Sequence, residues 1–103
     1  MDVPQIVKIS KSSKKGKKLK ATFNDGKQIS FGSSTSQTYV EGATKLKRHN
    51  YLERHLSNKT EKQLIQNLKP SPALLSAELL WGKSTDLNKN VRVLNERLKS
   101  KFH

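Results

Sequence analysis

The sequence predicts an α+β fold: an N-terminal β-hairpin or small antiparallel sheet followed by three to four short helices. Three observations predict it. Apolar residues alternate on either side of Asn24-Asp25-Gly26. Beyond residue 38 the apolar spacing changes from two to about 3.6. Helix-start signatures at Ser71-Pro72 and Asp86 then introduce leucine-rich runs. About 100 residues is one small domain, here residues 1–103. It divides into a β region (1–32), a polar connector (33–38) and a helical region (39–103).

Val3, Ile6, Val7 and Ile9 form a β-branched stretch that predicts a first strand. A hairpin follows. A two-residue turn at Asp25-Gly26 would pair Thr22 with Ile29 and Lys20 with Phe31, putting the apolar residues of the two strands on opposite faces. A three-residue loop, Asn24-Asp25-Gly26, pairs Phe23 with Lys27, Ala21 with Ile29 and Leu19 with Phe31. Leu19, Ala21, Phe23, Ile29 and Phe31 then share one face, and Gly26 takes the left-handed position of a type I turn plus bulge. One buried face specifies register strongly, so the longer loop is preferred. Lys18, Lys20, Thr22, Gln28 and Ser30 are left on the polar face.

Gly32 to Thr38 is a polar connector. After it, Ala43, Leu46, His49, Leu52 and Leu56 follow helical steps and predict an inward stripe. Lys45, Lys47, Arg48 and Arg54 lie around that stripe. Thr60-Glu61-Lys62-Gln63 has capping-box spacing and opens a short helix with Leu64, Ile65 and Leu68, which Pro70 should end. Ser71-Pro72 starts the next helix. Leu74, Leu75, Leu79, Leu80 and Trp81 crowd so much of its circumference that it should be largely buried, with Gly82 as its C-terminal cap. Asp86 caps a last helix in which Leu87, Val91, Leu94 and Leu98 repeat at helical spacing. A short turn should fold these two helices together, leaving Lys89, Arg92, Arg97 and Lys101 exposed.

Charge bounds the function. The chain has 21 Lys+Arg against 8 Asp+Glu, a net +13. Seven of the lysines fall between Lys8 and Lys20, with nothing acidic between Asp2 and Asp25. Such a charge opposes compaction unless a negative partner neutralises it. That points to nucleic acid, an acidic protein surface or an anionic membrane face. Lysine binds as a hydrated point charge and not as a bidentate fork, which favours attraction over sequence reading. The expected contact residues are Lys11, Lys14, Lys15, Lys17, Lys18, Lys20, Lys45, Lys47, Arg48, Arg54, Arg92 and Arg97. Lys14-Lys15-Gly16-Lys17-Lys18 also has the composition of a nuclear-import signal.

Enzyme chemistry finds little support. With no cysteine, disulfides and thiolate metal sites are excluded, and His49, His55 and His103 stand at no ligand spacing. His49 reads as a residue at the core margin, His55 as one flanking a helix end, and Trp81 as core. Gly16 in its lysine run is no phosphate loop, and the serines of 33–36 have no base at suitable spacing. No enzyme activity, metal or cofactor is expected. No apolar run reaches a membrane span and no secretory segment follows Met1, so the expectation is a soluble intracellular or assembled protein.

Three stretches together resemble a family of small, basic, mostly uncharacterised proteins of large nucleocytoplasmic DNA viruses. They are the hairpin Lys-Ala-Thr-Phe-Asn-Asp-Gly-Lys-Gln-Ile-Ser-Phe-Gly (20–32), the basic helix ending Tyr-Leu-Glu-Arg-His (51–55), and Leu-Ser-Ala-Glu-Leu-Leu-Trp-Gly-Lys-Ser-Thr-Asp-Leu (75–87) with the basic helix after it. Relatives tend to carry a second Trp and a Pro after the Gly-Lys pair, where this chain has Glu78 and Ser84. The family brings no catalytic residues. The resemblance implies a viral origin and a place in the virion, reached through host cytoplasm or nucleus during assembly. The expected function is therefore a minor capsid component contacting acidic surfaces of larger coat proteins or the internal membrane. The alternative is a non-sequence-specific nucleic-acid-binding protein that coats or condenses the genome.

Overall fold

A computed structural model describes residues 3–35 and 37–102; Met1, Asp2, Ser36 of the polar connector and His103 lie outside the described residues. Strands β1 (Ile6–Lys11), β2 (Lys17–Phe23) and β3 (Gln28–Ser33) form an antiparallel sheet in the order β1-β2-β3. A 3-10 turn at Tyr39–Glu41 leads to helices α1 (Lys45–Leu56), α2 (Lys59–Gln66), α3 (Pro72–Leu75) and α4 (Leu87–Phe102). The fold is α+β: a three-stranded sheet followed by four helices.

The second hairpin has the longer loop. Ala21 pairs with Ile29 and Leu19 with Phe31. The Phe23 amide donates to the Lys27 carbonyl at 2.8 Å, the Gly26 amide donates to the Phe23 carbonyl at 2.9 Å, and Gly26 has φ +88°. Ala21, Phe23, Ile29 and Phe31 are buried on one face. The first strand departs from expectation. Val3 lies outside β1, and Val7 is 63% exposed. Ile6 opposes Phe23 while Lys8 opposes Thr22, so Val7 is the extra residue of a β-bulge. The bulge is what lets Ile6 and Ile9, three residues apart, both face inward.

That sheet face packs against the helices in one core. Ile6, Ala21, Phe23, Ile29 and Phe31 meet Leu74, Leu75, Leu79, Leu80, Trp81, Leu94 and Leu98, with Ala43 and Leu68 at its margin. The Ser71 hydroxyl caps α3 by accepting from the Leu74 amide. α3 then continues as a π-helical turn, Ser76–Leu80, where the Trp81 amide donates to the Ser76 carbonyl at 3.1 Å. From Leu74 to Gly82 only Glu78 is not buried. The expected pairing of this segment with α4 is present: Leu94 and Leu98 are fully buried, and Leu87 and Val91 pack at the edge. Asp86 Oδ1 accepts from the amides of Asn88 and Lys89 and caps α4.

Gly82 does not serve as a left-handed cap. Its place is set by close approach: a Cβ there would lie 2.3 Å from the Glu78 carbonyl and 2.8 Å from the Asn90 side chain. The α2 cap is Asn58, accepting from the Glu61 amide, and not Thr60. Nor does Pro70 end that helix. It stops at Gln66, where Leu68 at φ 52° donates to the Ile65 carbonyl and Lys69 to the Leu64 carbonyl. This is a Schellman closure with a leucine in the usual glycine position, held there because Leu68 is buried. Within the polar connector Ser33 still belongs to β3, and Thr38 is 2% exposed, caps the 3-10 turn and bonds Glu41.

α1 turns only part of the expected stripe inward: Leu52 packs against the core and Ala43, just before the helix, is buried. Leu46 is 68% exposed, Leu56 36% exposed, and His49 is also outside. The inward side is Arg48, Tyr51, Leu52 and His55. The reason is chemical complementarity: Trp81 presents a ring, and Trp81 and Gly82 present a carbonyl each, which a tyrosine and an arginine satisfy better than leucines do.

Candidate functional site

The lysine-rich stretch is an ordered hairpin. Lys11 ends β1, Lys14 and Lys15 sit in the turn, and Lys17, Lys18 and Lys20 belong to β2. The turn is closed by the Lys17 amide donating to the Lys14 carbonyl at 3.1 Å and by the Lys14 amide donating to Ser12 Oγ at 3.0 Å. Two further bonds brace it against β3 and the residue after it: Ser12 Oγ with Ser30 Oγ at 2.9 Å, and the Ser34 amide to the Gly16 carbonyl at 3.2 Å.

Register decides where the charges go. Lys8 opposes Thr22, which opposes Gln28; Ser10 opposes Lys20, which opposes Ser30. These rows form the outer face of the sheet, opposite the core. It carries ammonium groups among hydroxyls and an amide, with no aromatic ring. Lys11 and Lys17 follow the register of Leu19 and leave the sheet at its far end. Lys11, Lys14 and Lys15 are exposed, and Lys17 and Lys20 half-buried. Among the described residues none of these five forms an ion pair.

Three of the expected contact residues are engaged internally. Lys18 Nζ reaches both carboxylate oxygens of Glu41 at 2.9 Å. Burial pushes the Glu41 carboxyl up, but hydrogen bonds from Lys18 and Thr38 together outweigh it and hold the group below its ordinary value. Arg48 Nε donates to the carbonyls of Trp81 at 3.0 Å and Gly82 at 2.9 Å, with its guanidinium 5.6 Å from the Tyr39 ring centre. It ties α1 to the end of the π turn and is not a surface contact. Arg97 pairs with Glu78 across the α4 packing. Lys45, Lys47, Arg54 and Arg92 remain exposed on the helical half.

Trp81 is core: it is 6% exposed and stacked on Tyr51 with ring centres 4.4 Å apart and planes 10° from parallel. His55 lies 4.1 Å from the same Tyr51 ring centre. Two rings that close to one ring must occupy its opposite faces, so Tyr51 has no face left for a base. Burial raises the Tyr51 phenol above its ordinary value, with a Ser76 hydrogen bond acting against it. His55 Nδ1 is 2.9 Å from Glu61 and joins α1 to α2. Beside this column a cleft of about 440 Å³ is lined by Gln37, Lys47, Asn50, Tyr51, Arg54 and Trp81. Its two cations and two amides are suited to one phosphate group. Among the described residues no group of His, Asp and Glu side chains is arranged to hold a metal, and no helix is long and apolar enough to cross a membrane.

Tyr51, Asn90 and Asn95 escape a reading by periodicity, because each acts through a polar bond or ring contact to a residue distant in sequence. The partial signal is the position of both asparagines beside the apolar stripe of α4.

The profile of a family of unknown function, DUF5754, matches residues 7–55, which are the sheet and most of α1. An uncharacterised protein of Acanthamoeba polyphaga mimivirus is 37% identical over 86 residues, covering 78% of this chain and 84% of that protein. The chain belongs to that protein's family. The resemblance to uncharacterised proteins of large DNA viruses therefore holds at the level of this mimivirus family. The 86 aligned residues exceed the 49 spanned by residues 7–55, so the likeness to the mimivirus protein takes in helical residues beyond α1. No solved structure matches the chain.

Proposed function

We propose that this chain is a viral nucleic-acid-binding protein that holds the phosphate backbone through the lysine hairpin and the outer face of the sheet, without reading sequence. The observation that carries this reading is the braced hairpin, which holds Lys11, Lys14, Lys15, Lys17 and Lys20 on a fixed surface without acidic partners among the described residues. Backbone recognition uses this mixture of Lys with Ser, Thr and Gln donors. Lysine without arginine over the whole β half, and no exposed ring on the sheet, argue against base reading and base stacking. The protein acts by binding and needs no cofactor, and the virion or the host compartment of assembly is its place of action.

The test is affinity for duplex DNA against salt. The log–log slope should be about −0.9 per phosphate contacted. Replacing Lys14, Lys15, Lys17 and Lys20 by Gln should flatten the slope and abolish retention on DNA. Lys18 is spared so that its bond to Glu41 stays. Unchanged binding in that variant would rule the hairpin out.

A minor capsid role, in contact with acidic surfaces of larger coat proteins, is the second reading. It is favoured by the separate basic set of the helical half, Lys45, Lys47, Arg54 and Arg92, which the sheet reading leaves unused. Incorporation of the four-lysine variant into particles would support it. Incorporation lost together with DNA binding would count against it.

A further inference from the structure

One face of α1 lines the cleft beside the Tyr51–Trp81 stack. At about 100° per residue, Lys47, Asn50, Tyr51 and Arg54 fall within about 100° of one another, and all four line the cleft. Lys47, Asn50 and Arg54 are exposed. Among the described residues neither cation is in an ion pair, and the Asn50 side chain makes no hydrogen bond. Glu53, the one carboxylate of α1, lies outside this arc and 3.6 Å from His49. No Asp or Glu among the described residues lines the cleft. Two cations therefore share a recess of about 440 Å³ with nothing negative in its walls.

The chemistry of the recess selects its ligand. Trp81 is buried and Tyr51 has a ring against each face, so no base can stack there. The Arg54 guanidinium stands 6.0 Å from the Tyr51 ring centre. A guanidinium offers a planar fork that matches phosphate oxygens, to which a lysine adds a point charge. The β half has no arginine, so this fork is what the lysine hairpin lacks. Two other lining residues, Thr35 and Gln37, are tied to that hairpin. Thr35 follows Ser34, whose amide donates to the Gly16 carbonyl of the lysine turn at 3.2 Å. Gln37 Nε2 donates to the Glu41 carbonyl at 3.2 Å, and the Glu41 carboxylate is held by Lys18 of β2. The cleft therefore adjoins the lysine turn, and a backbone lying on one comes within reach of the other. We infer that the cleft is a second phosphate site, which holds one backbone phosphate of a nucleic-acid strand between Lys47 and Arg54, with the Asn50 amide donating. The strand as its source rests on the nucleic-acid reading above, whereas the affinity of the cleft for phosphate does not.

The test uses the full chain and two probes, inorganic phosphate and duplex DNA. In amide NMR spectra, added phosphate should shift the Asn50 side-chain amide and the Arg54 Nε–H saturably. Lys47→Gln with Arg54→Gln should weaken phosphate, read at Asn50, by about tenfold, and leave thermal unfolding unchanged. On duplex DNA the same double variant should reduce the salt slope by about 0.9, the value for one phosphate. Lys45→Gln with Arg92→Gln removes equal charge outside the cleft and should leave the phosphate shift and the slope as in the parent. The four-lysine hairpin variant should lose DNA and still bind phosphate at Asn50. Absence of a saturable Asn50 shift, or a shift that survives loss of Lys47 and Arg54, overturns the cleft as a phosphate site. An equal fall in slope for the two double variants, or no fall for either, overturns the strand as its ligand. A parent that binds phosphate at Asn50 but is not retained on DNA refutes the nucleic-acid reading and supports the cleft as a site for free phosphate compounds.

Discussion

Asn95 meets Ile6 as a neighbouring strand would. Its Oδ1 accepts from the Ile6 amide at 2.8 Å, and its Nδ2 donates to the Ile6 carbonyl at 3.0 Å. Gln5 Nε2 donates to the Asn95 carbonyl at 2.9 Å beside this pair. β1 is an edge of the sheet, and edge groups left open invite pairing with other chains. One side chain of α4 therefore closes the start of that edge and ties the last helix to the first strand.

Asn95→Leu should remove both bonds and leave Ile6 polar groups part-buried, at a cost of about 2 kcal/mol. The urea midpoint should fall, and the Ile6 amide should lose protection from hydrogen exchange. Replacement of the exposed Asn88 is the control and should change neither.

Trp81→Ala should cost about 3–5 kcal/mol, comparable to the whole stability of a domain this small. Part of that loss belongs to the Tyr51 stack. A double-mutant cycle with Tyr51→Leu, followed by circular dichroism, should give a coupling of about 1 kcal/mol. Strict additivity would mean that the two rings only lie side by side.

Glu41 should make stability acid-sensitive. Its folded pKa lies below the ordinary 4.5, so its contribution is present above that value and is lost as pH falls through the folded pKa. The stability difference between the parent and Glu41→Gln should be constant above about pH 5 and shrink as pH falls below it. A difference that grows on acidification would reverse the sign of this argument.

Arg92 and Arg97 should part company on charge reversal. Arg92→Glu alters an exposed residue and should shift stability by less than about 0.5 kcal/mol. Arg97→Glu sets a carboxylate against Glu78, whose side chain is 19% exposed, and should cost about 1 kcal/mol. Equal melting temperatures for the two variants would make the Glu78 pair energetically silent.

Residues 19–31 carried their own register. Of a two- and a three-residue loop, only the longer puts Leu19, Ala21, Phe23, Ile29 and Phe31 on one face, and Gly26 supplies the backbone angle that this loop needs. The leucines around Trp81 and along α4 were equally legible, because burial of a dense apolar run leaves little choice of face. The excess of lysine also followed from composition. On α1, by contrast, the leucine periodicity named a stripe of which Leu52 reaches the core while Leu46, His49 and Leu56 stay outside. Hydrophobic spacing ranks faces by transfer from water, whereas this helix docks through a ring stack and an arginine bonded to two carbonyls. Those partners lie some thirty residues away, and only the tertiary structure brings them into reach. The same holds for the bulge at Val7, the clearance at Gly82, the Asn95–Ile6 closure and the lysine hairpin. Each depends on a contact outside its own element or on an interruption of a regular period, and local spacing encodes neither.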